Sequence, residues 1–144
     1  MLKQWVVCGL ACAAMVSVTS AQTKKPASAK TVKYDLTAKA DQVYTGTMEI
    51  SVEGGKVTGS MLVTSPTEIT GTVSGSEKKG VLNLSFPYHM TENKCQGQVT
   101  MNITLPAKPG PATGTMEAQG CSDPSEKVTG TVELVPSAGA KKTR

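Results

Sequence analysis

Few residues in this chain carry side chains suited to acid–base or nucleophilic work, and they gather in one stretch. His89 is the sole histidine, Cys95 and Cys121 follow it, and Asp123 and Glu126 close the group in the phrase CSDPSEK. A general base needs a nucleophile and an orienting partner within hydrogen-bond reach. The sequence identifies neither for His89, which alternation turns outward beside Pro87, next to a loop. A structural zinc site takes four ligands from Cys, His and carboxylates, and a second histidine is lacking. Asp123 and Glu126 belong to no dedicated calcium loop; with Pro124 between them they read as turn residues. The sequence therefore assigns no catalytic residue, metal or cofactor, and an enzyme is not expected.

The cysteines have a simpler chemistry. The chain opens MLKQWVVCGLACAAMVSVTSAQ, with Lys3, an apolar run from Trp5 to Val18, and the small-residue approach Thr19-Ser20-Ala21. That is the layout of a signal peptide over residues 1–21, cleaved after Ala21. The run is shorter than the ~20 apolar residues of a membrane-spanning helix. Lipoprotein processing before Cys12, in GLAC, is the rival reading, but it leaves only a stub of apolar residues ahead of the cysteine. The expectation is a soluble exported chain, periplasmic or extracellular, that has lost Cys8 and Cys12. In an oxidising compartment the remaining pair is expected to form a Cys95–Cys121 disulfide.

What remains is enough for one domain with one core. The net charge of +4 is unevenly placed. Lys24, Lys25 and Lys30 lie in a lead-in over residues 22–30, and Lys141, Lys142 and Arg144 end a tail over 137–144. Between 31 and 136 eight lysines stand against eleven acids, so that body is about −3 and only the flanks are basic. Both flanks read as disordered, with an anionic lipid or polymer surface as a conceivable contact. No basic patch interleaves with aromatics, so nucleic-acid binding is not expected.

The elements that must position these residues announce themselves as a repeat. YTGTM, VTGSM, ITGTV, ATGTM and VTGTV centre on Thr45, Thr58, Thr70, Thr113 and Thr129, and LNLSF with CQGQV fill the gap at Asn83 and Gln96. With KTVKYDLTA ahead of them these make eight units. Each unit alternates apolar and polar residues with period two, as half-buried strands do. Spacings of 12 to 17 residues leave no room for parallel crossovers, so the strands are expected as successive antiparallel hairpins.

Turn chemistry tests the register. A Gly54-Gly55 turn sets Val52 opposite Val57 and Met48 opposite Met61, and the Ser65-Pro66-Thr67 turn sets Val63 opposite Ile69. The Glu77-Lys78-Lys79-Gly80 turn is expected to set Gly71 opposite Phe86 and Ile69 opposite Tyr88. Pairing Leu105 with Ala112 sets Gly97 opposite Gly120, leaving the cysteines one residue out of line, at a bulge or loop start.

The inward face holds no charge and includes Tyr34, Tyr44, Met48, Met61, Phe86, Tyr88, Met101 and Met116. One apolar face with no helix to cover it is best buried by closing the sheet on itself. The fold expected over residues 31–136 is an all-β, eight-stranded, antiparallel up-and-down barrel, with a two-sheet β-sandwich as the alternative. Outward positions are mainly Thr, Ser, Asn, Gln and Glu, unlike the apolar band of a membrane barrel, so membrane insertion is not expected. Gly46, Gly59, Gly71, Gly97, Gly114 and Gly130 share the inward face, either to let coiled strands bend past bulky neighbours or to leave a cavity.

In architecture alone this resembles the avidin-like and lipocalin-like barrels. The sequence after residue 21 lacks both tryptophan and a Gly-x-Trp opening, so the likeness stops at architecture and assigns no family. The function expected is non-catalytic binding by a monomer. A small apolar ligand in or at the mouth of the barrel comes first, with the eight inward residues named above as its lining. The alternatives are an inhibitor-like rim that grips an exported protein through 87–95 and 121–127, with His89, Glu92, Asn93, Asp123 and Glu126 in contact, and a structural role in the cell envelope.

Overall fold

The computed structural model describes residues 29–90, 94–121, 123 and 125–138. The leader, most of the lead-in, Glu92, Asn93 and the last six residues of the tail lie outside the described residues.

Eight strands follow in order: β1 Lys30–Lys39, β2 Val43–Glu53, β3 Lys56–Ser65, β4 Ile69–Lys78, β5 Val81–Met90, β6 Cys95–Thr104, β7 Ala112–Gln119 and β8 Lys127–Pro136. Every neighbouring pair is antiparallel, and β8 pairs with β1 to close the barrel, with Leu36 opposite Leu134. It is an up-and-down barrel, not a sandwich. Closure removes both sheet edges and encloses the apolar face. No polar or charged residue among the described ones is buried.

The turns explain the register. Gly54 and Gly55 both have positive φ (57° and 81°), the requirement of a two-residue turn whose twist matches its strands, and Val52 pairs with Val57 as expected. Val63 pairs with Ile69 across the next turn, also as expected. The β4–β5 hairpin corrects its expectation. Lys79 and Gly80 carry the positive φ (54° and 78°), so the turn is these two residues and Lys78 pairs with Val81. Ile69 therefore faces Met90 rather than Tyr88. The slip is two residues in pairing sum, which preserves which face each side chain takes. Ladder pairs lapse between Thr70–His89 and Ser74–Ser85, the interval that holds Pro87, whose nitrogen has no hydrogen to donate.

The glycines answer the question their repetition raises. A Cβ built on Gly59 would run into the Glu49 carbonyl of β2, and one on Gly114 into the Asn102 carbonyl of β6. Strands coil so tightly there that the next strand's backbone occupies the place of a side chain. At Gly97 a Cβ would meet the Tyr88 ring, 2.5–2.6 Å away. None of the six inward glycines lines the interior cavity described below. Their space is filled.

Candidate functional site

Because the strands run obliquely, the barrel has two unlike halves. One end carries the β2–β3, β4–β5 and β6–β7 turns and both chain ends; there Val57, Leu82, Ile103 and Leu134 have no solvent exposure. The other end carries the β1–β2, β3–β4, β5–β6 and β7–β8 connections and holds an open cavity of about 360 Å³.

The wall of that cavity comes from inward positions of every strand. Leu36 and Ala38 (β1), Met61 and Val63 (β3), Phe86, Tyr88 and Met90 (β5), Val99 and Met101 (β6), Met116 and Ala118 (β7) and Val128 (β8) line it, with Tyr44 and Ile69 near the mouth. Polar groups enter only from the connections and strand ends: Asp41, Gln42, Gln119 and Glu126. Small side chains at Ala38, Ala40 and Ala118 lie among the lining residues, where the opposite half has Leu134 and Ile103.

Two tyrosines fix the polar edge. The Tyr44 hydroxyl donates to Asp41 Oδ1 at 3.0 Å and accepts from Gln42 Nε2 at 3.0 Å. Burial raises its pKa above the usual value; the Gln42 bond lowers it and the Asp41 carboxylate raises it further. The Tyr88 hydroxyl donates to the Gln119 carbonyl at 2.9 Å and lies 3.3 Å from Cys121 Sγ, and burial raises its pKa too.

The cysteine pair is a disulfide, with Cα atoms 5.4 Å apart. Cys95 is buried at the start of β6, and Cys121 is exposed just past the end of β7. The staple therefore sits at the loop start that the one-residue misalignment implies, and it ties the β7–β8 connection to the cavity wall.

Of the expected lining, Tyr44, Met61, Phe86, Tyr88, Met101 and Met116 come together around the cavity. Tyr34 and Met48 do not. They pair with each other across β1 and β2 in the filled half, where Met48 has no exposure. Alternation gives the face of a residue but not its height along the axis, and these two fall below the cavity floor. Of the expected rim, Glu126 lines the mouth. Asp123 is exposed, and its carboxylate accepts from the Ser125 amide (2.8 Å) and hydroxyl (2.6 Å), which lowers its pKa; this is turn chemistry. His89 is exposed on the outer wall between Thr70 and Gln96, away from the cavity. Glu92 and Asn93 lie outside the described residues.

Leu36, Val63, Ile69, Val99 and Val128 belong to the inward face but not to the expected lining, and sequence reasoning missed Asp41, Gln42, Met90 and Gln119 altogether. The signal that could have found them is the run of small residues, Ala38, Ala40 and Ala118, at strand ends that the hairpin order brings to one side. A broader, open concavity of about 930 Å³ crosses the outer wall by Leu62, Thr72, Pro87, His89 and Gln98, with polar and apolar surface in equal parts. Among the described residues, no three His, Cys, Asp or Glu side chains are placed to hold a metal ion. No family model matches the chain, and no curated protein or solved structure matches it either.

Proposed function

We propose that the chain is an exported, non-catalytic binding protein that holds one small apolar molecule in the cavity at the open end of its barrel. The observation that carries this reading is the cavity itself: about 360 Å³, walled mainly by apolar side chains in the half of the barrel opposite the filled one. That volume lies within the ~300–1,000 Å³ of small-molecule sites. It equals the liquid volume of about a dozen waters at ~30 Å³ each, and an apolar guest would release any water held there. Met61, Met90, Met101 and Met116 supply flexible, polarizable contacts that adapt to an irregular guest. Asp41 and Glu126 stand at the mouth with no lysine or arginine in the lining, so the site favours a neutral or cationic head over a carboxylate.

Native mass spectrometry of the protein purified from its source without detergent tests the reading, together with titration by a neutral apolar dye. One apolar adduct per chain, or a single saturable dye site, supports it. No adduct and no saturable site sink it.

The disulfide supports a second reading, because it joins the β5–β6 and β7–β8 connections into one surface that could grip an exported protein. Pull-down from the exported proteome, with loss of the partner on Asp123→Ala or Glu126→Ala, is the corresponding test.

A further inference from the structure

We infer that the closed end of the barrel is a docking face for an anionic lipid bilayer. The β2–β3, β4–β5 and β6–β7 turns and both chain ends gather there, and backbone hydrogen bonds knit them together. Glu77 N donates to Gly55 O at 2.8 Å, Leu105 N to Gly80 O at 2.7 Å and Ser137 N to Lys33 O at 3.0 Å. On this braced end Lys30, Lys56, Lys78, Lys79 and Lys108 are all exposed. Three carboxylates accompany them: Glu53, Glu77, whose Oε1 accepts from the Gly80 amide at 2.8 Å, and Asp35, whose Oδ1 accepts from the Ser137 hydroxyl at 2.8 Å. None of the five lysines is in an ion pair among the described residues.

Counted the same way, turns together with strand ends, the opposite end carries Asp41, Glu68, Asp123 and Glu126 against Lys39, Lys94 and Lys127, and Lys127 is paired with Glu117 at 2.8 Å, so the barrel is polarised along its axis from a lysine-rich end to a weakly acidic one. β1 starts and β8 stops at the closed end, so the flanking sequence, which carries Lys24, Lys25, Lys141, Lys142 and Arg144, joins the barrel there.

The arrangement selects the partner. The lysines are spread over separate turns around a blunt end instead of lining a groove, which suits a planar array of headgroups better than a linear polyanion. Each lysine near such a surface is worth about fivefold in affinity. Docked this way, the cavity mouth faces away from the membrane and stays open to its ligand. The inference stands on charge placement and does not depend on what the cavity holds.

Co-sedimentation with vesicles tests it, using the chain from Gln22 so that the apolar leader does not itself bind lipid. The probes are phosphatidylcholine vesicles with and without 30% phosphatidylglycerol. The closed-end variant is Lys56→Gln/Lys78→Gln/Lys79→Asn/Lys108→Gln, with asparagine at 79 because φ there is 54°. The controls are Lys39→Gln/Lys94→Gln at the open end and a variant with the five flanking cations neutralised; unchanged thermal melts certify folding. Expected are binding only to the phosphatidylglycerol vesicles, weakening with salt, a loss of more than a hundredfold in the closed-end variant, and a change below about fivefold in the open-end control. Four results would overturn the inference: no binding to phosphatidylglycerol vesicles, equal losses from the two ends, binding carried wholly by the flanking cations, or binding to a soluble polyanion such as single-stranded DNA but not to vesicles.

Discussion

At the closed end of the barrel Leu82, Ile103 and Leu134 fill the interior completely, whereas at the open end Tyr44, Met116, Ala118 and Val128 surround space. Both halves use the same repeat, the same alternation and glycines on the same face. The difference lies in side-chain volume and in how each end is braced. One end holds itself by packing, and the other is braced by a covalent staple and two tyrosine hydroxyls. On the proposed reading, stability and binding fall to different ends of one small fold, and a cavity that would weaken a core lies where a disulfide braces the wall.

Truncations should break this comparison most visibly. Leu134→Ala, at a site with no exposure, is expected to cost about 4 kcal/mol in urea denaturation, while Met116→Ala on the cavity wall costs under about 1 kcal/mol. Equal costs would mean that the two halves are packed alike. Next comes the staple. The cysteines are 26 residues apart, so Cys95→Ala/Cys121→Ala should lose about 3 kcal/mol by the chain-entropy account. A loss below about 1 kcal/mol would show that the open end needs no brace.

The glycines sharpen the comparison further. Gly114→Ala drives a methyl into the Asn102 carbonyl and should cost about 2 kcal/mol, because backbone must move. Gly97→Ala meets the Tyr88 ring instead, and about 1 kcal/mol is expected as the ring is pushed off Gln119. A Gly97→Ala chain that melts like the parent would mean the ring can shift freely.

The smallest effect is a titration. Burial raises the pKa of Tyr34, Tyr44 and Tyr88, because the neutral phenol is favoured in the folded chain. That contribution is complete below the unfolded value near 10 and is lost as pH rises through the higher folded values. Tyrosinate absorbance of the chain from Gln22, which contains no tryptophan, should therefore rise later in the folded state than in urea. Coincident curves would remove the tyrosines from any role in bracing the mouth.

The barrel was legible because its evidence is local and redundant. Each unit alternates, each turn must match its neighbours, and an apolar face without helices has to close on itself. The β4–β5 register was less legible. Glu77-Lys78-Lys79-Gly80 admits two placements of a tight turn, and a lysine at φ 54° is not the residue type that advertises one. The site was legible as to face but not as to height. Alternation put Met48 and Met116 on one list, yet only the stagger between strands sets Met48 in the packed half and Met116 beside the cavity. Asp41 and Gln42 were hidden because a loop's approach to a mouth depends on closure, which no local pattern encodes.

The most direct measurement is a titration with the neutral dye N-phenyl-1-naphthylamine, comparing the parent chain with Ala118→Trp, which places an indole in the cavity. The account predicts one saturable site in the parent and its loss in the variant, with thermal stability unchanged or raised. A parent chain without a saturable site, or a variant that binds the dye equally well, would contradict it.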